Sequence, residues 1–199
     1  MPRHTVRVYT DYKSPYGYLA NVDIFALEAA HDVALDWYPY ILPIADYLGS
    51  VESRNAHQWR RVKYSYMDAR RLANEQGLTL YGPKRVFNGY YSSAGLLFAK
   101  ANGFFRPYHD LVFERFFKRE LDIDSLEQMT AAVECAGGSG RDFADYAEGP
   151  GRQAVKAVID EAEAMGVFGV PTLVFKDELF WGRERIPMVI QRIESASSD

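Results

Sequence analysis

Strand-forming patterns are confined to the two ends of this 199-residue chain, which sharply limits the folds open to it. Near the N-terminus Val6, Val8 and Thr10 alternate with Arg7, Tyr9 and Asp11, the two-residue period of a strand over 5–11. An apolar run over 15–30 reads as a helix, and residues 33–40 read as a second strand closed by Pro39 and Pro43. A β-α-β start implies a parallel pair joined by a right-handed crossover. From about Ala45 to Pro150 strand signals nearly vanish. Trp59, Val62, Tyr66, Ala69 and Ala73 recur at three- and four-residue steps, one buried face of a helix over 57–76. Further helices are expected over 92–102, from near Pro107, over 129–136 behind a capping-box signal at Asp124-Ser-Leu-Glu127, and over 142–147. A helix carrying Val155, Val158, Ile159, Ala162 and Met165 then leads to strands over 172–175 and 179–181, joined by Lys176-Asp177-Glu178. A final helix is expected over 184–195. The order is β-α-β, a block of helices, then α-β-β-α.

Two short motifs give this order a site. Ser14-Pro15-Tyr16-Gly17 opens the first helix, with Ser14 placed as N-cap and Pro15 where a missing N–H costs nothing. Gly169-Val170-Pro171-Thr172 precedes the third strand, and the Val170–Pro171 bond is expected to be cis. A strand, a helix opened by S-P-Y-G and a distant V-P-T form the frame of a thioredoxin-type redox site. Ser14 and Gly17 occupy the two cysteine positions of its C-x-x-C. The chain has a single cysteine, Cys135, so it cannot cycle an internal dithiol. The expected fold is α/β, a thioredoxin-like domain from 1–44 and 151–199 with a large all-helical insertion over 45–150.

The chain is 48% hydrophobic and 25% charged, enough for a sizeable core. A formal charge of −4 argues against nucleic acid or an anionic membrane as a main partner. One cysteine suits a reducing compartment, and no apolar run resembles a signal peptide or a membrane span, so a cytoplasmic location is expected. The four histidines are scattered without ligand spacing, and no metal site is expected.

A helix N-terminus stabilises anions, and a hydroxyl there can donate to a thiolate, so Ser14 reads both as a plain cap and as a thiolate donor. An extended backbone at Val170-Pro171 can pair with a peptide-like ligand by strand addition, or Pro171 simply starts a strand. Arg61, Tyr64, Asp68 and Arg71 share one helix face. They form either a solvated, ion-paired stripe or a group in which Tyr64 donates a phenol proton and Arg61 holds a substrate carboxylate. Asn55 reads as a turn or cap residue, or as an amide presented to a ligand. Glu184 beside Arg183 either favours a helix dipole or binds an ammonium group. Cys135 is expected to pack in a helix core as a small apolar residue.

Together these residues resemble the family that contains 2-hydroxychromene-2-carboxylate isomerase and kappa-class glutathione transferase, related to DsbA-type oxidoreductases. The likeness rests on D-Y-K-S-P-Y-G-Y-L-A over 11–20, on Asn55 followed by R-x-x-Y-x-x-x-D-x-x-R over 61–71, on G-V-F-G-V-P-T over 166–172 and on F-W-G-R-E-R over 180–185. The resemblance implies glutathione as cofactor. Ser14 would stabilise its thiolate, Asn55 would contact the tripeptide, and Val170 with Pro171 would pair with its cysteinyl backbone. Glu184, beside Arg183, would bind its ammonium group. Arg61, Tyr64 and Asp68 would act on a small aromatic substrate in a cis–trans isomerisation, and a homodimer is implied. Arg183-Glu184 falls where the family usually has a small polar residue followed by Asp, and Arg61 where such isomerases usually carry Lys. A transferase that conjugates glutathione to an electrophile, or a redox-inactive peptide-binding module, uses the same frame.

Overall fold

The computed structural model describes residues 3–44, 49 and 51–197. Strands β1 (His4–Thr10), β2 (Val33–Pro39), β3 (Thr172–Phe175) and β4 (Glu178–Trp181) form one sheet in the order β2-β1-β3-β4. β1 and β2 are parallel, with His4 opposite Val33 and Thr10 opposite Pro39. The β1–β3 and β3–β4 pairs are antiparallel. The β3–β4 turn is tighter than the three residues expected: Glu178 already belongs to β4, and Lys176 takes a left-handed φ of 55°.

Two layers of helices cover the sheet because alternate strand residues point to opposite faces. On one face Val6, Val8, Leu173, Phe175 and Phe180 pack against Ile24 and Leu27 of α1 (Pro15–Ala30) and against Val189 and Ile193 of α8 (Ile186–Ser197). On the other face Tyr9 and Val174 meet Ala162 of α7 (Gly151–Ala164) and Val167.

Between β2 and α7 lie α2 (Ala56–Glu75), α3 (Tyr90–Ala101), α4 (Phe105–Lys118), α5 (Leu126–Cys135) and α6 (Gly140–Glu148). The fold is thus the thioredoxin-like α/β architecture with a large helical insertion. The insertion is seated on α1: Tyr18 of α1 stacks nearly parallel to Phe113 (5.2 Å) and Phe117 (5.3 Å) of α4. At the same junction His109 of α4 is fully buried. Its Nδ1 lies 3.2 Å from the Tyr12 hydroxyl and its Nε2 3.1 Å from Asn21 Oδ1. Asn21 Oδ1 only accepts, so Nε2 carries the proton and Nδ1 accepts from Tyr12. Desolvation among Trp37, Phe25, Phe105 and Phe113, followed by the charge of Arg106, lowers the His109 pKa to about 3. The imidazole is therefore neutral.

Three local expectations are corrected. The α5 cap is Ser125, whose Oγ accepts from Gln128 N at 3.2 Å, one residue after the expected Asp124. Asp124 instead accepts from the Gly89 and Asn88 N–H groups, at 2.8 and 3.0 Å, and ties down the loop before α3. Cys135 ends α5 on its exposed side and does not pack in the core. Buried Met129, Ala132 and Val133 form the inner face of that helix instead. The last helix starts at Ile186, because residues 183–185 form a separate single turn of 3-10 helix.

Candidate active site

The first turn of α1 closes directly onto the end of β1. Asp11, almost fully buried, shapes the connection: Oδ1 accepts from the Lys13 N–H (2.9 Å) and Oδ2 from the Leu42 N–H (2.7 Å). Lys13 Nζ pairs with Asp11 at 3.0 Å and donates to the Asn88 carbonyl at 2.7 Å. A lysine this deeply buried is tolerated because both of its contacts satisfy it.

Ser14 is the N-cap of α1, and its Oγ accepts from the Gly17 N–H at 3.1 Å. That cap role leaves the hydroxyl proton available to a ligand. In the same turn Pro15 has no N–H, and the Tyr18 N–H is bound to the Ser14 carbonyl. The Tyr16 N–H therefore remains as the donor of the helix N-terminus. Thr10 Oγ1 is buried without a partner among the described residues, 3.3 Å from where a Cβ on Gly17 would sit. Gly17 thus allows the helix start to press against the strand end, which a side chain at that position would hinder.

The Val170–Pro171 bond is cis. β1–β3 pairing sets Tyr9 opposite Thr172, so one and two residues further Pro171 and Val170 run alongside Thr10 and Asp11, next to the Ser14 turn. Val170 is buried within the α7-side core, 7% exposed, yet neither its N–H nor its C=O has a protein partner among the described residues. Pro171 and Gly169, on either side of Val170, are locked from the strand side: Gly182 N donates to the Pro171 carbonyl (2.9 Å) and Thr172 Oγ1 to the Gly169 carbonyl (2.7 Å).

The polar stripe of α2 divides. Asp68 Oδ2 accepts from the Tyr16 hydroxyl at 3.0 Å, joining the stripe to the S-P-Y-G turn. Burial raises the Tyr16 phenol pKa, and Asp68 and Tyr64 push it further up. Tyr64 is 58% exposed, and Arg61 and Arg71 are exposed with no carboxylate partner among the described residues. Of the two readings of the stripe, ion pairing is not seen among the described residues, because Asp68 turns toward Tyr16.

Asn55 caps α2 in a full capping box with Gln58, its Oδ1 accepting from the Gln58 N–H at 2.9 Å. Its amide nitrogen is left without a partner among the described residues, and Oδ1 keeps one lone pair. Arg183 is committed to Asp23 of α1, Nε to Oδ2 at 2.5 Å. Glu184 is exposed, with its carboxylate folded against Gly182, where a Cβ would meet both oxygens at 2.7 Å.

A cavity of about 610 Å³ lies on the opposite side of α2 from Tyr64 and Asp68, under the loop 82–87. Trp59, Val62, Tyr66, Phe87 and Phe116 give it apolar walls, and Lys13 reaches it from the S-P-Y-G side. None of the residues singled out from the sequence lines it, save Trp59, Val62 and Tyr66 of the expected apolar face. Asp11, Lys13 and Thr10, polar groups added by the structure, carried little signal: their roles come from distant partners or from burial, which a local motif does not show.

A family model described as a DSBA-like thioredoxin domain matches residues 5–194. A 2-hydroxychromene-2-carboxylate isomerase of Pseudomonas sp. strain C18 is 27% identical over 197 residues, covering 96% of this chain and 91% of that protein. The enzyme of that name from Sphingobium xenophagum is 22% identical, covering 92% and 94%. Among solved structures, a 2-hydroxychromene-2-carboxylate isomerase superposes with a TM-score of 0.80 at 23% identity, covering 97% of this chain and 96% of that one. A probable DsbA oxidoreductase from Streptomyces coelicolor gives 0.80 at 18% identity, covering 99% and 91%. With a match running from the first strand into the last helix, and the strand, cis-proline and helix start assembled as above, the chain belongs to the DsbA-like thioredoxin-domain family.

Proposed function

We propose that the protein is a glutathione-dependent cis–trans isomerase of a conjugated aromatic carboxylate, of the kind its relatives named 2-hydroxychromene-2-carboxylate isomerase act on. The observation that carries this reading is the Val170 backbone, unpaired among the described residues, lying beside the Ser14 turn. A single-cysteine chain cannot use that arrangement for dithiol exchange, whereas a peptide thiol completes it.

The residues present fit such a thiol. Val170 offers an N–H and a C=O in an extended segment, which match the backbone of a cysteinyl residue. Ser14 Oγ–H and the Tyr16 N–H face the same turn and hold an anion there, helped by the partial positive charge of the helix start. Glutathione, when bound, supplies a thiolate that adds reversibly to a conjugated carbon and so turns a double bond into one that can rotate. The chain's own part is to keep the sulfur ionised near neutral pH, to position the substrate and to manage its protons. Tyr16, hydrogen-bonded to Asp68, and Tyr64, close enough to act on it electrostatically, provide phenol protons next to the turn. Asn55 contributes its amide nitrogen and Arg61 a charge for a substrate carboxylate. Arg183 works indirectly, anchoring the 3-10 turn that carries Glu184 to α1.

The test is spectrophotometric. Turnover of 2-hydroxychromene-2-carboxylate is expected only with glutathione present. Conjugation of glutathione to a chlorinated nitroarene without isomerisation would assign the transferase reading instead. An absence of any glutathione binding at millimolar concentration would overturn both.

A further inference from the structure

The cavity between α2 and the 82–87 loop carries a concentration of charge that the rest of the chain does not share. Seven basic side chains line it (Lys13, Arg54, Lys63, Arg70, Lys84, Arg85 and Arg119) and, among its described lining residues, no Asp or Glu. The whole chain has a formal charge of −4, so composition does not account for this.

At least two of these charges are neutralised from outside the cavity, and Arg54 is held by its own contacts, including the Gly49 carbonyl. Lys13 pairs with Asp11, and Arg85 with Asp122 and Asp124 at 2.8 and 2.7 Å. Arg119 donates Nε and Nη2 to the uncharged Gly82 carbonyl, at 2.8 and 2.5 Å, and so keeps its full charge. Lys63, Arg70 and Lys84 have no carboxylate partner among the described residues. Glu120 and Asp122 line an adjoining recess that shares Lys84 and Arg119, and Asp122 is already engaged by Arg85. Gathering like charges around an apolar space is unfavourable unless a counter-charge enters it.

The spacing and the walls narrow that counter-charge. Lys63 and Arg70 stand two helical turns apart, about 10 Å along α2, so one small anion does not answer both. Around them Trp59, Tyr66, Phe87 and Phe116 line the space, with Arg54 over the Trp59 ring and Arg85 over the Phe87 ring. The volume, about 610 Å³, suits a small organic ligand.

We propose that this cavity binds a ligand with a flat apolar body bearing two separated negative charges, an aromatic dicarboxylate. The site lies across α2 from Tyr64 and Asp68, and its occupancy does not depend on the glutathione reading.

Calorimetric titration of the intact protein with naphthoate, a naphthalene dicarboxylate and naphthyl phosphate tests it. At low ionic strength the dicarboxylate binds at least about fivefold more tightly than the monoanion, the effect of one further partly exposed ion pair. The advantage shrinks as salt is added. It disappears in the Lys63→Gln/Lys84→Gln variant, whose far-UV circular dichroism stays that of the parent because both side chains are exposed. Naphthyl phosphate, with both charges on one group, binds more weakly than the dicarboxylate, and tighter binding of the phosphate overturns the inference. Equal binding of monoanion and dicarboxylate, or a preference that survives the double variant, overturns the inference. Glutathione is titrated separately: binding of glutathione without the dicarboxylate leaves only the proposed function standing, and the converse leaves only this site.

Discussion

Protonation of His109 should uncouple the helical insertion from the thioredoxin core. In the fold this imidazole is fully buried and neutral, held between Tyr12 and Asn21, with its pKa lowered to about 3 chiefly by desolvation. In the unfolded chain it returns to about 6.5. Between those values the unfolded state binds one proton more than the native state, so stability falls as pH drops from about 6.5 toward about 3 and is fully retained above that window. The slope is about 1.4 kcal/mol per pH unit, which gives a loss of about 2 kcal/mol between pH 7 and pH 5. The perturbation is His109→Gln, which cannot charge. Urea unfolding of parent and variant at pH 7, 6 and 5 isolates the term, because the exchange removes one imidazole and leaves the other titrating groups common to both. The variant is less stable at pH 7, having lost a fitted ring, but its stability should fall less steeply by about 2 kcal/mol over the two units. Parallel curves for the two proteins, or an His109 ring signal titrating near 6.5 in the native protein, would refute the reasoning.

Ser14→Ala removes both the α1 cap and the donor to the bound sulfur. Thiolate formation by glutathione, followed by ultraviolet absorbance, should shift to higher pH, and kcat/KM at neutral pH should drop roughly tenfold or more, the worth of a hydrogen bond to a charged group. An unchanged profile would return Ser14 to a purely structural role. Gly95→Ala places a Cβ 2.1 Å from the hydroxyl oxygen of Tyr108, which is fully buried and bound to the Ser92 carbonyl. The α3–α4 contact must open, at a cost of about 1–3 kcal/mol in chemical denaturation; a Tm equal to the parent's would show the packing to be looser than described. Asp124→Asn weakens the bonds that hold the 85–89 loop. Burial favours protonation of Asp124, but the Gly89 and Asn88 N–H groups and Arg85 outweigh it and keep the pKa low. Its contribution is therefore present above about pH 4 and lost as pH falls through the lowered native pKa. The variant should lose stability at pH 7 while narrowing the gap to the parent in acid, and a gap independent of pH would count against this. Cys135, exposed at the end of α5, should react stoichiometrically with a disulfide reagent without denaturant.

Much of the site's frame was legible because its signals are local. A cap is decided by the residues within one turn, so Ser14-Pro15 and Asn55-x-x-Gln58 declare themselves. The Asp124 misreading shows the limit of that logic. Asp124 and Ser125 are equally good caps by type, and the choice went to Ser125 because Asp124 was claimed by two N–H groups and an arginine from 85–89, far away in sequence. Cys135 was assigned to the core by residue type alone, yet the phase of α5 turns it outward, with Met129 and Val133 facing in. Along α2 the apolar positions were identified, but Trp59, Val62 and Tyr66 face a cavity, and close packing holds only at Ala69 and Ala73.

The order of strands and helices, the serine at the first helix and the lack of a second cysteine were fixed in the linear chain, since periodicity and capping act over a few residues. Only tertiary structure brought Val170 beside the Ser14 turn, gave Asp68 to Tyr16, and gathered basic residues from five separate segments around one apolar space. Pairing across the sheet and desolvation depend on which distant segments meet, and charge repulsion or burial acts on neighbours in space, whatever their separation along the chain.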